Sequence, residues 1–132
     1  MTHLGLRIVM IAVGCALGGV CRFLLGYIVQ QQWGSDFPYA TLSINLIGSL
    51  LIGLAFALLT KQGIEHPLLN GLLITGFLGG FTTFSSFSLE TVELMQSAAL
   101  VKAGLYVTLS CLGCFGLSFI GLKLAQIFMR MF

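Results

Sequence analysis

Residues Gly76–Ser88 read GFLGGFTTFSSFS, and the other apolar segments of the chain are arranged as walls around them. The stretch lies midway along an apolar run long enough to cross a bilayer, with paired glycines, stacked hydroxyls and phenylalanines at its centre. Gly79 and Gly80 carry no β-carbon, so the chain is predicted to leave helical dihedrals there at little cost. In hydrocarbon a broken helix leaves unpaired C=O and N–H groups, each costing about 2–7 kcal/mol. A break of that kind persists only where protein, water or a bound ion covers it. The stretch therefore predicts an ion or substrate site at membrane depth. A glycine-rich packing seam, with hydroxyls bonded back to the preceding turn, accounts for the same composition.

The totals point the same way. Of 132 residues, 58% are hydrophobic and only 8% charged, and the mean hydropathy is +1.05. Soluble domains are about a quarter charged, so the chain is read as an integral membrane protein. At about 20 apolar residues per crossing, the length fits one transmembrane domain of four helices over residues 1–132. One such bundle is a thin enclosure for a polar route, so a homo-oligomer is expected. A net charge of +2, scattered along the chain, does not suggest a nucleic-acid partner.

Cys15, Cys21, Cys111 and Cys114 all fall in apolar runs, where thiols behave as small hydrophobes. Cys111-x-x-Cys114 has the spacing of a redox or metal pair but lacks a second pair. His3 and His66 are isolated near expected helix ends, which gives a metal cluster little support. The first apolar run follows Arg7, and Leu17–Cys21 resembles a lipoprotein cleavage site except for the bulky Val20. Its pattern continues past Arg22 to Val29, too long for a signal sequence, so it is read as a retained first crossing.

Helix 1 is expected over residues 4–30. Gly14, Gly18, Arg22 and Gly26 recur every fourth residue and share a slowly drifting face, where the glycines make a small-residue seam for another helix. Arg22 is the one charge inside that span and costs at least about 2.5–3.5 kcal/mol on insertion scales. It is read either as snorkelling to the headgroups or as lining an aqueous vestibule that concentrates anions. Trp33, Tyr27 and Tyr39 suit an interfacial belt around the 31–38 loop, and Pro38 suits the first turn of the next helix.

Helix 2 is expected over residues 38–59, with Thr41, Asn45, Gly48, Ser49 and Gly53 on one polar, small-residue stripe. The carboxamide of Asn45 offers two donors, to an anion or to another helix; the second use is worth about 0.6 kcal/mol in membrane proteins. Residues 61–67 form a polar turn. Helix 3 is expected over residues 67–96, broken around 79–83, with Phe84, Phe87 and Glu90 on one face beyond the break. A carboxyl at membrane depth is a functional candidate, or the cap of a polar network. Helix 4 is expected over residues 98–128, with Tyr106, Ser110, Cys114 and Ser118 at intervals of four.

Lys/Arg asymmetry across the four crossings is small: Arg7, Lys61, Lys123 and Arg130 face Lys102 and Arg22. A chain so balanced is expected to insert both ways, which allows an antiparallel dimer. The inward inventory is rich in neutral donors and poor in fixed charge. Phenylalanine edges are electropositive, and hydrogen bonds to a charged group are worth about 1.5–3 kcal/mol each. Together they suit a small, strongly hydrated anion better than a large, soft one. Carbonyls freed by the break suit a small cation instead.

GFLGGFTTFSSFS at Gly76–Ser88, TLSINLIGSLLIG at Thr41–Gly53 and GGVCR at Gly18–Arg22 resemble the small fluoride channels of bacteria, the Fluc or CrcB family. The resemblance covers all four expected helices. It implies an all-α protein of the bacterial inner membrane, with the third helix broken mid-membrane, assembled as an antiparallel, dual-topology homodimer. Two pores per dimer would pass fluoride passively out of the cytoplasm and confer fluoride resistance. By the same resemblance, Asn45, Phe84 and Phe87 are pore residues, with Thr41, Thr83, Glu90, Tyr106 and Ser110 as further polar pore positions. Arg22 matches a vestibule arginine. The main-chain carbonyls of Gly79 and Thr82 match ligands of a structural sodium ion at the dimer centre. Ser86 replaces a threonine found in many relatives, and Cys114 stands where a hydroxyl is expected.

Three other readings compete. A four-helix multidrug or cation antiporter needs a carboxyl in helix 1, and residues 4–30 contain no Asp or Glu. An assembly subunit would use Asn45 and the TTFSSF block only to lock helices together. An enzyme has no nucleophile–base pair or metal spacing to work with.

Overall fold

A computed structural model describes residues 3–61 and 67–131, and all of its regular elements are helical. The polar turn expected before Pro67, with His66, lies outside the described residues. Helix α1 is His3–Trp33, α2 is Tyr39–Lys61, α3 covers residues 67–81, α4 is Phe84–Gln96 and α5 is Leu100–Met131. Four spans, His3–Trp33, Tyr39–Thr60, Pro67–Gln96 and Leu100–Met131, are long and apolar enough to cross a membrane. The protein is therefore a multi-pass membrane protein of four crossings, the third made by α3 and α4 together.

The helix ends follow local chemistry. Pro38 precedes α2 rather than opening it, and its carbonyl accepts the first helical bond, from Leu42 N–H at 3.1 Å. Gly34 closes α1 at a φ of +71°, with its N–H on Gln30 O at 2.9 Å. That is the left-handed cap for which glycine is suited. Between α4 and α5, Ala98 takes the equivalent position at a φ of +57°. Its N–H donates to Met95 O, and Ala99 N–H donates to Leu94 O. α5 begins at Leu100 and runs to Met131, so the last helix sits slightly later than the spacing predicts.

Two glycine seams organise the bundle. On α1, a Cβ at Gly14 would collide with Leu72 O, and one at Gly18 with Phe77 O. From the other side, a Cβ at Gly76 would lie 2.8 Å from Ile11 O and one at Gly80 2.6 Å from Cys15 O. The two backbones are in contact, as expected for helices associating through small residues in lipid. On the second seam, added Cβ atoms at Gly53 and Gly121 would strike Ser118 O and Leu50 O, so α2 and α5 are equally close.

These contacts change the account of Gly79 and Gly80. Gly79 has φ −64° and ψ −36°, and the helix continues through Phe81. The interruption is confined to Thr82 (φ −77°, ψ 159°) and Thr83 (φ −149°, ψ 115°). The expected break over 79–83 is thus narrower, and Gly80 serves close approach to α1 instead of dihedral freedom. Upstream, Gly71–Leu78 is wound as a π-helix, in which Gly79 N–H reaches back five residues to Ile74 O.

Ala98 in the left-handed region carries a steric cost of about 1–2 kcal/mol, part of which glycine would return as unfolded-state entropy. Ala98→Gly is expected to raise stability by about 0.5–1 kcal/mol, read as a higher thermal midpoint in detergent; an unchanged or lower midpoint would contradict the cap assignment.

Candidate functional site

The interruption at Thr82 and Thr83 strands main-chain groups outside the helical ladder, and side chains from two helices, α1 and α2, take them up. Asn45 Nδ2 donates to Thr83 O at 3.0 Å, while Thr83 N–H donates to Asn45 Oδ1 at 2.9 Å. One carboxamide thus satisfies both main-chain groups of a single residue. Thr83 Oγ1 then accepts Ser86 N–H at 3.2 Å and caps the start of α4. Thr82 N–H and hydroxyl both return to Leu78 O, each at 3.0 Å.

Arg22 supplies the remaining contact, its Nη1 donating to Thr82 O at 3.2 Å. The guanidinium is thus bonded to the interrupted helix while the side chain stays half-buried. The cause is one turn earlier on α1, where Gly18 lies against Phe77 and Phe81 and holds that helix close enough for Arg22 to reach Thr82.

The pairing releases two carbonyls from the helical ladder. In a continuous helix Gly79 O would accept Thr83 N–H, which goes to Asn45. Thr82 O would accept Ser86 N–H, which goes to Thr83 Oγ1. Neutral oxygens of this kind are what a hard cation takes, and Thr82 O keeps a second lone pair beside its bond from Arg22. The residues matched to the sodium ion therefore have the right donor chemistry.

Beside the break, a groove of about 290 Å³ is lined by Asn45, Thr83, Phe84, Phe87 and Ser110, with Cys111, Cys114 and Phe115 on its α5 wall. The Phe84 and Phe87 ring centroids are 5.5 Å apart. Phe87 is 9% exposed but Phe84 is 78% exposed, so the groove is open on one side. Asn45 has a second amide hydrogen beyond the one given to Thr83. Ser110 Oγ is buried and is the one such side-chain atom without a hydrogen-bond partner among the described residues.

Beyond Phe87 the polar residues continue. Tyr106 is fully buried, with its ring 5.1 Å from that of Phe87. Its hydroxyl donates to Glu90 Oε2 at 2.6 Å, and Thr41 Oγ1 donates to Glu90 Oε1 at 2.7 Å. Glu90 also lines a wider cavity of about 540 Å³ at the end of the bundle, with Asp36, Glu93 and Lys102. The order from groove to mouth is Ser110 and Asn45, the two phenylalanines, Tyr106, then Glu90.

The structure thus brings Asn45, Thr83, Phe84, Phe87 and Ser110 to one groove and links Phe87 through Tyr106 to Glu90 and Thr41, with Gly79, Thr82 and Arg22 at the break beside it. One participant, Phe37, and the structural roles of Thr83, Ser86 and Ser118 escape the sequence reading. Phe37 packs edge-on against Tyr106, centroids 5.6 Å apart, although its loop carries no helical periodicity. Thr83 and Ser86 are a Thr-x-x-Ser cap whose spacing is visible before the α4 run. Ser118 Oγ donates to Ser49 O at 3.0 Å and is a strut between α2 and α5.

Four membrane-crossing helices, an interrupted third one and a polar groove along its flank define a small membrane transport protein. The family described as CrcB-like protein, Camphor Resistance (CrcB), matches residues 9–122, and the chain belongs to it. A relative from Geobacter sp. (strain M21), named fluoride-specific ion channel FluC, is 42% identical over 120 residues, covering 91% of this chain and 97% of its own. One from Roseiflexus sp. (strain RS-1), with the same name, is 44% identical over 119 residues, or 90% and 93% of the two chains. One from Flavobacterium psychrophilum, also of that name, is 47% identical over 100 residues, or 76% and 81%.

Replacing Asn45 by Ala would leave Thr83 N–H and C=O unpaired, at about 1–3 kcal/mol for each buried group. Asn45→Ala is expected to lower the thermal midpoint and speed hydrogen exchange at Thr83. Unchanged exchange there would show that the carboxamide does not hold the break.

Proposed function

We propose that the protein is a fluoride-selective passive channel, and not an enzyme, that exports fluoride across the bacterial inner membrane and so confers fluoride resistance. Ser110 Oγ carries this reading. A buried hydroxyl with no partner, in a groove shared with Asn45 and two phenylalanines, offers a hydrogen bond to a passing anion. Fluoride is small and strongly hydrated, so its water shell is replaced only by several short donors. Ser110 Oγ–H, the second Asn45 N–H and the positive edges of Phe84 and Phe87 are donors of that kind. Thr41 and Tyr106 hydroxyls extend the series toward the mouth, where their hydrogens rotate between Glu90 and an ion.

The active form in this reading is an antiparallel homodimer with two pores. An anion in hydrocarbon needs cover on every side, and the exposed face of Phe84 leaves the groove open in one protomer. A second, oppositely inserted copy would close it. A structural sodium ion at the dimer centre would be held by the main-chain oxygens of Gly79 and Thr82 from both copies. Its charge would offset the self-energy of fluoride in the adjoining pores. The antiporter alternative is disfavoured because residues 3–33 contain no carboxyl to exchange protons.

Purified protein in liposomes, followed with fluoride and chloride electrodes, is expected to release fluoride rapidly and retain chloride. Comparable release of both ions would end the proposal. Ser110→Ala removes a donor worth about 1.5–3 kcal/mol to a charged partner, or about tenfold or more in rate. It is expected to slow fluoride efflux while leaving the thermal midpoint unchanged, because no internal hydrogen bond is lost. A fall in stability without a change in flux would place the hydroxyl in packing.

A further inference from the structure

Cys111 and Cys114 are groove-lining thiols to which the proposed conduction path assigns no task. Both are free thiols of intermediate exposure on α5, and both line the groove beside Ser110, Phe84 and Phe87. Residues three apart on a helix have Cβ atoms about 5–6 Å apart on neighbouring turns of one face. A metal–thiolate bond is about 2.3 Å long in zinc sites, so a linear S–metal–S unit spans about 4.6 Å, twice that bond. Rotation about two Cα–Cβ bonds covers the difference.

No group of three or more His, Cys, Asp or Glu able to hold a metal occurs among the described residues, so a four-ligand site such as structural zinc has no basis there. Two thiols suffice for a different class of ion. Soft d10 cations prefer sulfur to the neighbouring hydroxyl and amide oxygens. We infer that Cys111 and Cys114 form a two-coordinate site for a soft monovalent metal ion, of the silver(I) or copper(I) type, inside the groove that the proposed function assigns to fluoride.

The balance of the step explains its effect. Two S–H bonds break, two metal–sulfur bonds form, and both protons leave to water. The metal keeps its single positive charge, so the site passes from neutral to a net charge of minus one. A fixed anion in the groove that Asn45 and Ser110 also line repels fluoride, and the metal and its ligands fill part of that groove. The inference rests on the proposed conduction path for its effect on flux, while metal binding stands on the cysteine geometry alone.

The test uses the full chain carrying Cys15→Ser and Cys21→Ser, so that Cys111 and Cys114 are the remaining thiols, with silver nitrate as probe in chloride-free buffer. Calorimetry in two buffers of different ionisation enthalpy is expected to show one silver ion bound per protomer and about two protons released. Cys111→Ser and Cys114→Ser should each lose the two-proton signature. In liposomes, silver should abolish fluoride efflux, and excess dithiothreitol should restore it; each variant's efflux before silver serves as its own reference. Release of two protons per silver ion that survives either single substitution would overturn the two-thiolate site. Binding with undiminished efflux would overturn the block. No fluoride efflux before silver is added would overturn the channel reading instead, and the calorimetric result would still decide the metal site.

Discussion

The carboxamide of Asn45 on the backbone of Thr83 is the contact on which the rest of the structure depends. An interrupted helix in a bilayer needs a partner for each stranded main-chain group, and here one side chain pairs with both groups of one residue. Because Thr83 N–H is occupied, Gly79 O is left outside the helical ladder. Because Thr83 is extended, its hydroxyl caps α4 and sets the phase at which Phe84 and Phe87 emerge. The geometry of the groove and the release of the carbonyls have the same origin.

Close backbone contact makes that arrangement reachable. Lipid offers no hydrophobic reward for pairing apolar helices, so association depends on packing and on polar contacts. Gly14 and Gly18 against Gly76 and Gly80 bring α1 onto α3, and Gly53 against Gly121 brings α2 onto α5. With α1 that near, Arg22 reaches Thr82 O and offsets the charge cost of its position through a charge-assisted hydrogen bond. That side chain thereby helps to hold the break.

The polar residues divide into held and unheld groups. Asn45 is bonded to Thr83, and Glu90 to Thr41 and Tyr106, which fixes the carboxamide and the carboxylate in place. Ser110 Oγ is unpaired, so it loses no internal bond on meeting an ion. Thr41 and Tyr106 share Glu90 between them, placing this carboxylate beside the wide cavity that Asp36, Glu93 and Lys102 also line. A negative charge costs least where water can still reach it.

Much of this was legible in the chain. Four crossings follow from apolar run length, because hydrocarbon thickness sets a minimum. The Thr41–Gly53 stripe, the Phe84–Phe87 pair and the Gly14–Gly18 seam follow from helical periodicity, which bilayer helices obey closely when backbone groups must pair internally. Tertiary structure decided what periodicity does not encode. It decided that the break falls on Thr82 and Thr83, where Asn45 takes up the stranded groups of Thr83, and that Gly80 serves the close approach of α1 at Cys15. It also decided that Arg22 turns inward, that Phe37 meets Tyr106 from a loop, and that Asn45 serves the backbone before any ion. Each of these outcomes depends on which groups another helix brings within bonding distance, and no local pattern in a single segment carries that information.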